Sequence, residues 1–286
     1  MHVKYSKSGD TEIDEFIEKI QENWLKRPEW KYACLKSLNT FEHTREFLQE
    51  IESQLKFQGK WAITIYGLTK NPTTNDYMIV RQYAQHGSLR KMLNKEFSRL
   101  VWHAKLKILF YIAFGLAKIH ECGLMHKDLH SVLQDFTENE QNKIFGVIPY
   151  TSLEILIRGE YSQASDIYSF GMIMFEVFTS YPPYYNTPHD INLIMSIYNG
   201  QKPEIKCKIP QLLKDLMERC LDSEPYNRPT AKRLETQLNE YYLKGNNELN
   251  KQIRDIEKSN ENFIQYNPNE VHPQAKYTSR PSKYIL

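Results

Sequence analysis

The segment that decides the fold reads His126-Lys127-Asp128-Leu129-His130-Ser131. It lies between two runs that carry apolar residues at helical spacing, His103 to Glu121 and Gln163 to Thr179. Gly123 is typical of the residue that ends a helix, so the first run should stop just before the segment. The pattern therefore predicts that the segment follows directly on the end of a long helix.

Outward from this loop, the chain has two halves of different character. Before residue 88, clusters of β-branched and aromatic residues predict strands, and one helical run intervenes at Phe41 to Lys56. The predicted strands are Lys31–Leu38, Trp61–Tyr66 and Tyr77–Tyr83. From residue 88 onward, further helices are predicted at Ser88–Leu93, Thr187–Tyr198, Pro210–Leu221 and Pro229–Leu243. Pro188, Pro210 and Pro229 are expected in the first turns of the last three. A small strand-rich half followed by a large helical half predicts an α+β, two-lobed architecture.

The two ends of the chain differ from the middle. Residues 11–27 predict an amphipathic helix that Thr11 caps and Pro28 ends. A weak helix is expected around Leu249 to Ile256. Residues 267–286 contain three prolines and no periodicity, so we expect them to be disordered. The predicted divisions are 1–30, 31–245 (a small lobe at 31–86 and a large lobe at 87–245) and 246–286.

Composition excludes several classes of protein. Lys and Arg total 37 and Asp and Glu total 35, so the net charge is only +2 and argues against a protein that coats nucleic acid or membranes. The four cysteines have no metal-binding or paired spacing, which indicates a reducing compartment. The first residues lack an apolar signal core, and the longest apolar stretches, such as Leu109 to Leu116, are far shorter than the ~20 residues of a membrane helix. We therefore expect a cytoplasmic protein.

Six segments in a fixed order are the strongest signal in the chain. They are Ala33-Cys34-Leu35-Lys36, Phe47-Leu48-Gln49-Glu50, Tyr77 to Ala84, His126 to Ser131, Ser165 to Gly171, and Asp222 to Thr230, which ends in Arg228-Pro229-Thr230. Together, over about residues 31–243, they resemble a eukaryotic protein kinase domain. The residues after His126 and the tail sequence His272-Pro273-Gln274-Ala275 are similar to a fungal-type expansion of the tyrosine-kinase-like group.

The resemblance implies a nucleotide site in the strand-rich half. Lys36 would hold the nucleotide phosphates, and Glu50 would pair with that lysine. The backbone of Gln82, Tyr83 and Ala84 would hydrogen-bond adenine. Outside this resemblance, Lys36 and Glu50 are equally explained as solvated surface charges.

The resemblance also implies roles in the helical half. Asp128 would orient a substrate hydroxyl and accept its proton. Asp166 would anchor the catalytic loop, and Arg228 would pair with Glu154 in Ser152-Leu153-Glu154, the counterpart of the A-P-E motif. A buried aspartate that only caps loop amides and a surface arginine are the simpler interpretations of Asp166 and Arg228.

Three departures from the kinase pattern concern phosphate and metal binding. Residues 1–58 contain a single glycine, Gly9, where the pattern requires a glycine-rich hairpin. After Asp128 the first asparagine is Asn139, eleven residues on, so the expected metal-binding asparagine is missing from its place. The nearest imitation of the D-F-G motif, Asp135-Phe136-Thr137, follows Asp128 by only seven residues, which is too short for two intervening strands and favours a turn residue at Asp135. In addition, Arg81 and Cys34 are larger than the side chains usual around adenine.

Two hypotheses follow from the sequence. The first is a catalytically impaired kinase-fold domain, a pseudokinase, that binds ATP weakly, does not hold Mg²⁺ and acts on other signalling proteins. The second is an active ATP-dependent protein kinase whose gaps reflect a defect of the gene model or splice form. In that case Asp128 and Lys36 would carry catalysis. An α+β domain unrelated to kinases is the third and weakest interpretation.

Overall fold

The structure is a computed structural model that describes residues 33–37, 64–70, 73, 77–84, 87–131, 145–259, 267–277 and 280–281. The chain divides into two compact units, one made of residues 1–85 with 135–140 and the other of residues 86–134 with 141–286. The predicted helices at 11–27 and 41–56, together with Glu50, Gln134, Asp135 and Asn139, lie outside the described residues.

The first unit contains a three-stranded antiparallel sheet. Its strands are β1 (Ala33–Ser37), β2 (Ile65–Lys70) and β3 (Tyr77–Gln82), in the order β1-β3-β2. The apolar side chains of Ile65, Ile79 and Val80 are buried. The register pairs Cys34 with Arg81 and Lys36 with Ile79.

The second strand begins later than its sequence predicts. Trp61 to Tyr66 has the stronger β pattern, but β2 begins at Ile65 and continues to Lys70. Pairing with β3 decides this, because Ile65 and Lys70 lie opposite the two ends of that strand, Arg81 and Tyr77. A bulge between Ile65 and Gly67 absorbs the irregularity.

The second unit is almost entirely helical. Its helices in the described residues are α1 (Leu89–Glu96), α2 (Trp102–Glu121), α3 (Leu153–Arg158), α4 (Gln163–Thr179), α5 (Ile191–Tyr198), α6 (Gln211–Cys220), α7 (Ala231–Asn239) and α8 (Asn247–Lys258). One short ladder accompanies them, β4 (Phe145–Gly146) paired antiparallel with β5 (Arg280–Pro281). The small sheet and the helical unit confirm the predicted α+β class.

Helix α4 is the centre of the helical unit. Every residue from Ser165 to Thr179 is buried. Gly171 permits close packing on α6, because a Cβ atom there would lie 2.7 Å from Leu221 and 2.9 Å from Cys220. The predicted bounds of α4 are confirmed at both ends.

Helix α2 ends as predicted. Gly123 has φ +72°, the left-handed conformation that glycine adopts without strain, and its N–H bonds the carbonyl of His120. The chain therefore leaves α2 directly into the 126–131 segment.

Several helix starts differ from the proline-based prediction. The cap of α5 is Asp190, whose carboxylate accepts the N–H groups of Asn192 and Leu193, so Thr187 and Pro188 precede the helix. Thr230 likewise caps α7. Asp and Thr side chains accept hydrogen bonds from the free N–H groups of a first turn. Proline has no side-chain acceptor and cannot do so.

The end of the chain differs most from expectation. Helix α8 forms, with Asn246 as its cap and Leu249 fully buried. Residues 267–277, for which disorder is predicted, instead contain a 3-10 turn at Pro268–Glu270 and contact the loop after α4. None of the helices in the described ranges has the length and apolar content needed to cross a bilayer.

Candidate active-site segment

Asp166 holds the segment His126 to Ser131 in place from the first turn of α4. One carboxylate oxygen accepts the N–H of His126 at 2.8 Å, and the other accepts the N–H of Lys127 at 2.9 Å. The ring of His120 lies 2.9 Å from the first of these oxygens. A buried carboxylate is stable here because it receives several hydrogen bonds and lies near the positive end of the helix dipole. The structure thus contains the predicted anchor.

The anchored backbone takes an unusual conformation at Lys127. Its φ is +66°, in the left-handed region that costs a residue with a side chain roughly 1–2 kcal/mol. The two hydrogen bonds to Asp166 hold the backbone that leads into this position. Such enforced conformations occur at functional sites, and this one orients the residue that follows, Asp128.

Asp128 lies beside a histidine that the sequence analysis does not assign. The Nε2 atom of His130 is 3.4 Å from a carboxylate oxygen of Asp128. The histidine side chain is buried, whereas a quarter of the Asp128 side chain remains exposed to solvent. The segment therefore presents one accessible carboxylate whose orientation a buried ring restricts.

Arg228 and Glu154 form the predicted ion pair. All five N–H donors of Arg228 are used: two go to the two oxygens of Glu154, at 2.7 and 3.1 Å, and three go to the carbonyls of Asp222, Ala164 and Ser223. Burial alone would raise the pKa of the Glu154 carboxyl, but the hydrogen bonds and charge of Arg228 outweigh it and hold that pKa below its usual value. This pair fixes the start of α3 to the turn before α7.

A second buried network was missed by the sequence analysis. Glu176 is completely buried in α4 and pairs with Arg90 of α1 at 2.5 Å. The hydroxyl of Tyr150 donates to the other oxygen of Glu176 at 2.8 Å and lies 3.2 Å from the hydroxyl of Ser131. Burial, and then the charge of Glu176, raise the pKa of Tyr150. The network therefore ties the last residue of the 126–131 segment to the helical core.

One signal in the sequence could have revealed this network. Glu176 stands inside an otherwise apolar run from Met172 to Phe178, and a charge at such a position requires a partner. The partners, Arg90 and Tyr150, are not recognisable from the sequence because they are distant along the chain.

The predicted nucleotide-binding residues of the first unit are described only in part. Lys36 lies on β1. Gln82 ends β3, and its N–H donates to the carbonyl of Thr64 at 2.8 Å. Gln82 and Tyr83 are exposed and Ala84 is half-buried. Cys34 and Arg81, the two large side chains predicted near adenine, are cross-strand neighbours.

These features define a class of protein in which a buried helix aspartate anchors a His-x-Asp loop and an arginine near the C-terminal helices ties down a Ser-Leu-Glu segment. Comparison with known protein families supports the class that these contacts define. The family described as protein tyrosine and serine/threonine kinase matches residues 26–133 and 130–238. The chain belongs to this protein kinase family.

The chain is similar to individual protein kinases of Dictyostelium discoideum and Homo sapiens. The chain is 29% identical over 177 residues to gdt2, a probable serine/threonine-protein kinase of Dictyostelium discoideum, in an alignment that covers 53% of the chain and 11% of that protein. It is 24% identical over 271 residues to the human receptor-interacting serine/threonine-protein kinase 1, covering 80% of the chain and 40% of the relative. It is 24% identical over 210 residues to the dual specificity protein kinase pyk3 of Dictyostelium discoideum, covering 68% of the chain and 15% of that kinase. The chain thus spans less than half the length of each of these relatives.

Proposed function

We propose that this chain is a kinase-fold domain with impaired phosphoryl transfer, a pseudokinase of the tyrosine-kinase-like group that acts as a binding or regulatory module in signalling. The observation that carries the proposal is the length of chain available for the metal ligands. Only 13 residues, 132–144, separate the anchored segment from β4. They would have to contain both the metal-binding asparagine and the D-F-G aspartate of an active kinase.

The chemistry explains why this length matters. Kinases accelerate phosphoryl transfer by positioning ATP and neutralising its charge, mainly through Mg²⁺ held by those two ligands. Loss of one preorganised electrostatic contact costs about 10²–10³ in rate. Loss of both ligands and of the glycine-rich hairpin leaves Asp128 as a base without an aligned phosphate. The break of the family match into two ranges that overlap at residues 130–133, directly after Asp128, supports a missing segment at this place.

The rest of the proposal concerns ligands and partners. ATP is the nucleotide that kinases use, and this chain would bind it weakly and without dependence on Mg²⁺. Its partners would be other signalling proteins in the cytoplasm. The chain would bind them through the helical unit and would not phosphorylate them.

A phosphotransfer assay tests the proposal. Wild-type protein, Asp128→Asn and the exposed control Asp215→Asn would be incubated with γ-labelled ATP, Mg²⁺ and a generic protein substrate. We expect incorporation at the background level in all three. Incorporation in wild type and in Asp215→Asn that disappears in Asp128→Asn would instead establish an active kinase, with Asp135 as the first suspect for the metal ligand.

A further inference from the structure

The loop that follows α4 carries the end of the chain on its surface. We call Tyr181 to His189 together with β4 the docking surface. We call residues 267–277 with Arg280–Pro281 the strap. Both belong to the helical unit. Within residues 267–277 no strap residue is buried; each is exposed or half-buried. The strap therefore lies on the unit as a ligand does, without belonging to its core.

Backbone hydrogen bonds hold the middle of the strap. The N–H of His272 donates to the carbonyl of Tyr185 at 2.8 Å. The N–H of His189 donates to the carbonyl of Gln274 at 3.3 Å. The ring nitrogen Nδ1 of His189 lies 3.0 Å from the N–H nitrogen of Lys276 and 2.9 Å from its carbonyl oxygen. Contacts of this kind recognise the backbone of a bound segment independently of most of its side chains. The segment turns between them, because the N–H of Ala275 donates to the carbonyl of His272 at 2.8 Å.

Two strap side chains contact the surface, and one of them supplies a specific contact. The hydroxyl of Tyr181 donates to a carboxylate oxygen of Glu270 at 3.4 Å. The hydroxyl of Tyr277 donates to the carbonyl of Pro183 at 2.9 Å, and its ring packs edge-on against His189 with centroids 4.8 Å apart. Tyr277 also packs against the apolar core of the unit. A tyrosine at this position is therefore recognised by its ring and by its hydroxyl proton.

The strap ends by pairing with an edge strand next to the candidate active-site segment. Arg280 and Pro281 pair antiparallel with Gly146 and Phe145. Four residues beyond Gly146 is Tyr150, whose hydroxyl lies 3.2 Å from that of Ser131. Addition of a strand to an exposed edge is a recurrent mode of peptide recognition.

We propose that the docking surface is a binding site for a tyrosine-containing peptide that adopts the backbone conformation of the strap, and that the strap occupies it in cis. Because the strap is held mainly by backbone hydrogen bonds and none of residues 267–277 is buried, it opens at low free-energy cost relative to global unfolding. A peptide with the same chemistry then competes for the vacated surface. This assignment does not depend on whether the chain transfers phosphate.

Peptide binding to the 286-residue chain tests the proposal. The probe is a fluorescent peptide of residues 267–281, measured by anisotropy against wild type, Tyr277→Ala and the control Tyr226→Ala, whose tyrosine is 81% exposed and outside the surface. We expect the Tyr277→Ala chain to bind the peptide at least tenfold more tightly than wild type or the control, because its own strap competes less. Adding His189→Ala to Tyr277→Ala should abolish this gain.

Two further arms keep the test decisive. If Tyr277→Ala fails to fold, Tyr277→Phe retains the ring and should give a smaller gain in peptide affinity. A peptide phosphorylated on the tyrosine should bind no variant, because it lacks the proton that the Pro183 carbonyl accepts. Equal affinity for wild type and the folded Tyr277 variants, or binding that His189→Ala does not change, would overturn the proposal. So would dimerisation of Tyr277→Ala without peptide binding, which would make the surface an interface between copies.

Discussion

Arg228 binds both carboxylate oxygens of Glu154, 74 residues earlier in the chain, with its two terminal nitrogens at 2.7 and 3.1 Å. The arginine side chain is 1% exposed and that of Glu154 is 13% exposed, so little water is available to replace a lost partner. The pair is therefore expected to matter for folding far more than a surface ion pair.

The first prediction concerns this pair. Arg228→Ala should lower the free energy of unfolding by about 3–5 kcal/mol, because it leaves the Glu154 carboxylate buried and unpaired. Arg233→Ala, on an exposed face of α7, should change it by less than about 0.5 kcal/mol. Urea unfolding followed by circular dichroism measures both. Equal and small effects would show that the pair does not hold α3 to the C-terminal helices.

The second prediction concerns the anchor of the active-site segment. Asp166→Asn replaces one accepting oxygen with an N–H₂ group that faces a backbone N–H, so it should destabilise the fold by about 2–3 kcal/mol. Amide hydrogen exchange should accelerate at His126 and Lys127 in particular. Asp215→Asn on the exposed face of α6 serves as the control and should change neither property. Unaltered exchange at both amides would contradict the assigned anchor.

The third prediction concerns the buried network of Glu176. Removing either partner alone, by Arg90→Met or Glu176→Met, should be strongly destabilising because the other charge is stranded. The double substitution should be less destabilising than the sum of the two, with a coupling energy of about 2 kcal/mol or more. A matched cycle on the exposed pair Lys118 and Glu121 should give a coupling below about 1 kcal/mol. Additivity at Arg90 and Glu176 would exclude their pairing in solution.

The fourth prediction is a pH dependence that originates at Lys105 of α2. This side chain is buried against the rings of Phe97 and Trp102, and its nitrogen lies 3.4 Å from the carbonyl of Phe178. Burial lowers the pKa of Lys105 to about 8, partly opposed by Cys207. Between pH 8 and the unfolded value of 10.5 the unfolded chain binds the proton and the folded chain does not, so stability rises with pH in this window.

Comparison with Lys105→Met isolates this contribution from other titrating groups. Relative to the variant, wild type should gain about 3 kcal/mol between pH 8 and 10.5. At pH 7 the variant should be the more stable of the two, since it does not bury an ammonium group. Parallel stability curves across this range would show that Lys105 is solvated in the folded protein.

The fifth prediction concerns the nucleotide. A ligand that binds only the folded state stabilises it by RT ln(1 + [L]/Kd), or about 2.7 kcal/mol at a hundredfold excess over Kd. On the proposal that the chain lacks the metal ligands, millimolar ATP should shift the melting temperature by close to zero, equally with Mg²⁺ and with chelator. ATP and ADP should also give the same result. A large shift that requires ATP and Mg²⁺ together would favour the active-kinase hypothesis.

The sequence by itself determined the helices whose apolar face continues over several turns. Helix α4 has its predicted bounds, and α2 ends at the predicted glycine, because 3.6-residue periodicity and a left-handed glycine are local properties of the chain. The order of the His-x-Asp loop, the helix aspartate and the late arginine likewise identified the family, because those residue types each perform one required contact.

Only the tertiary structure decided which groups meet across long separations. Asp190 caps α5 in place of the predicted Thr187-Pro188 start, because the better acceptor for free N–H groups lies three residues further on. Glu176 signals a partner, but Arg90 is 86 residues away and nothing local specifies it. The strap is the clearest case. Residues 267–277 make most of their contacts through backbone groups, with Glu270 and Tyr277 as the contributing side chains. Such contacts leave no periodic pattern of apolar residues in the sequence.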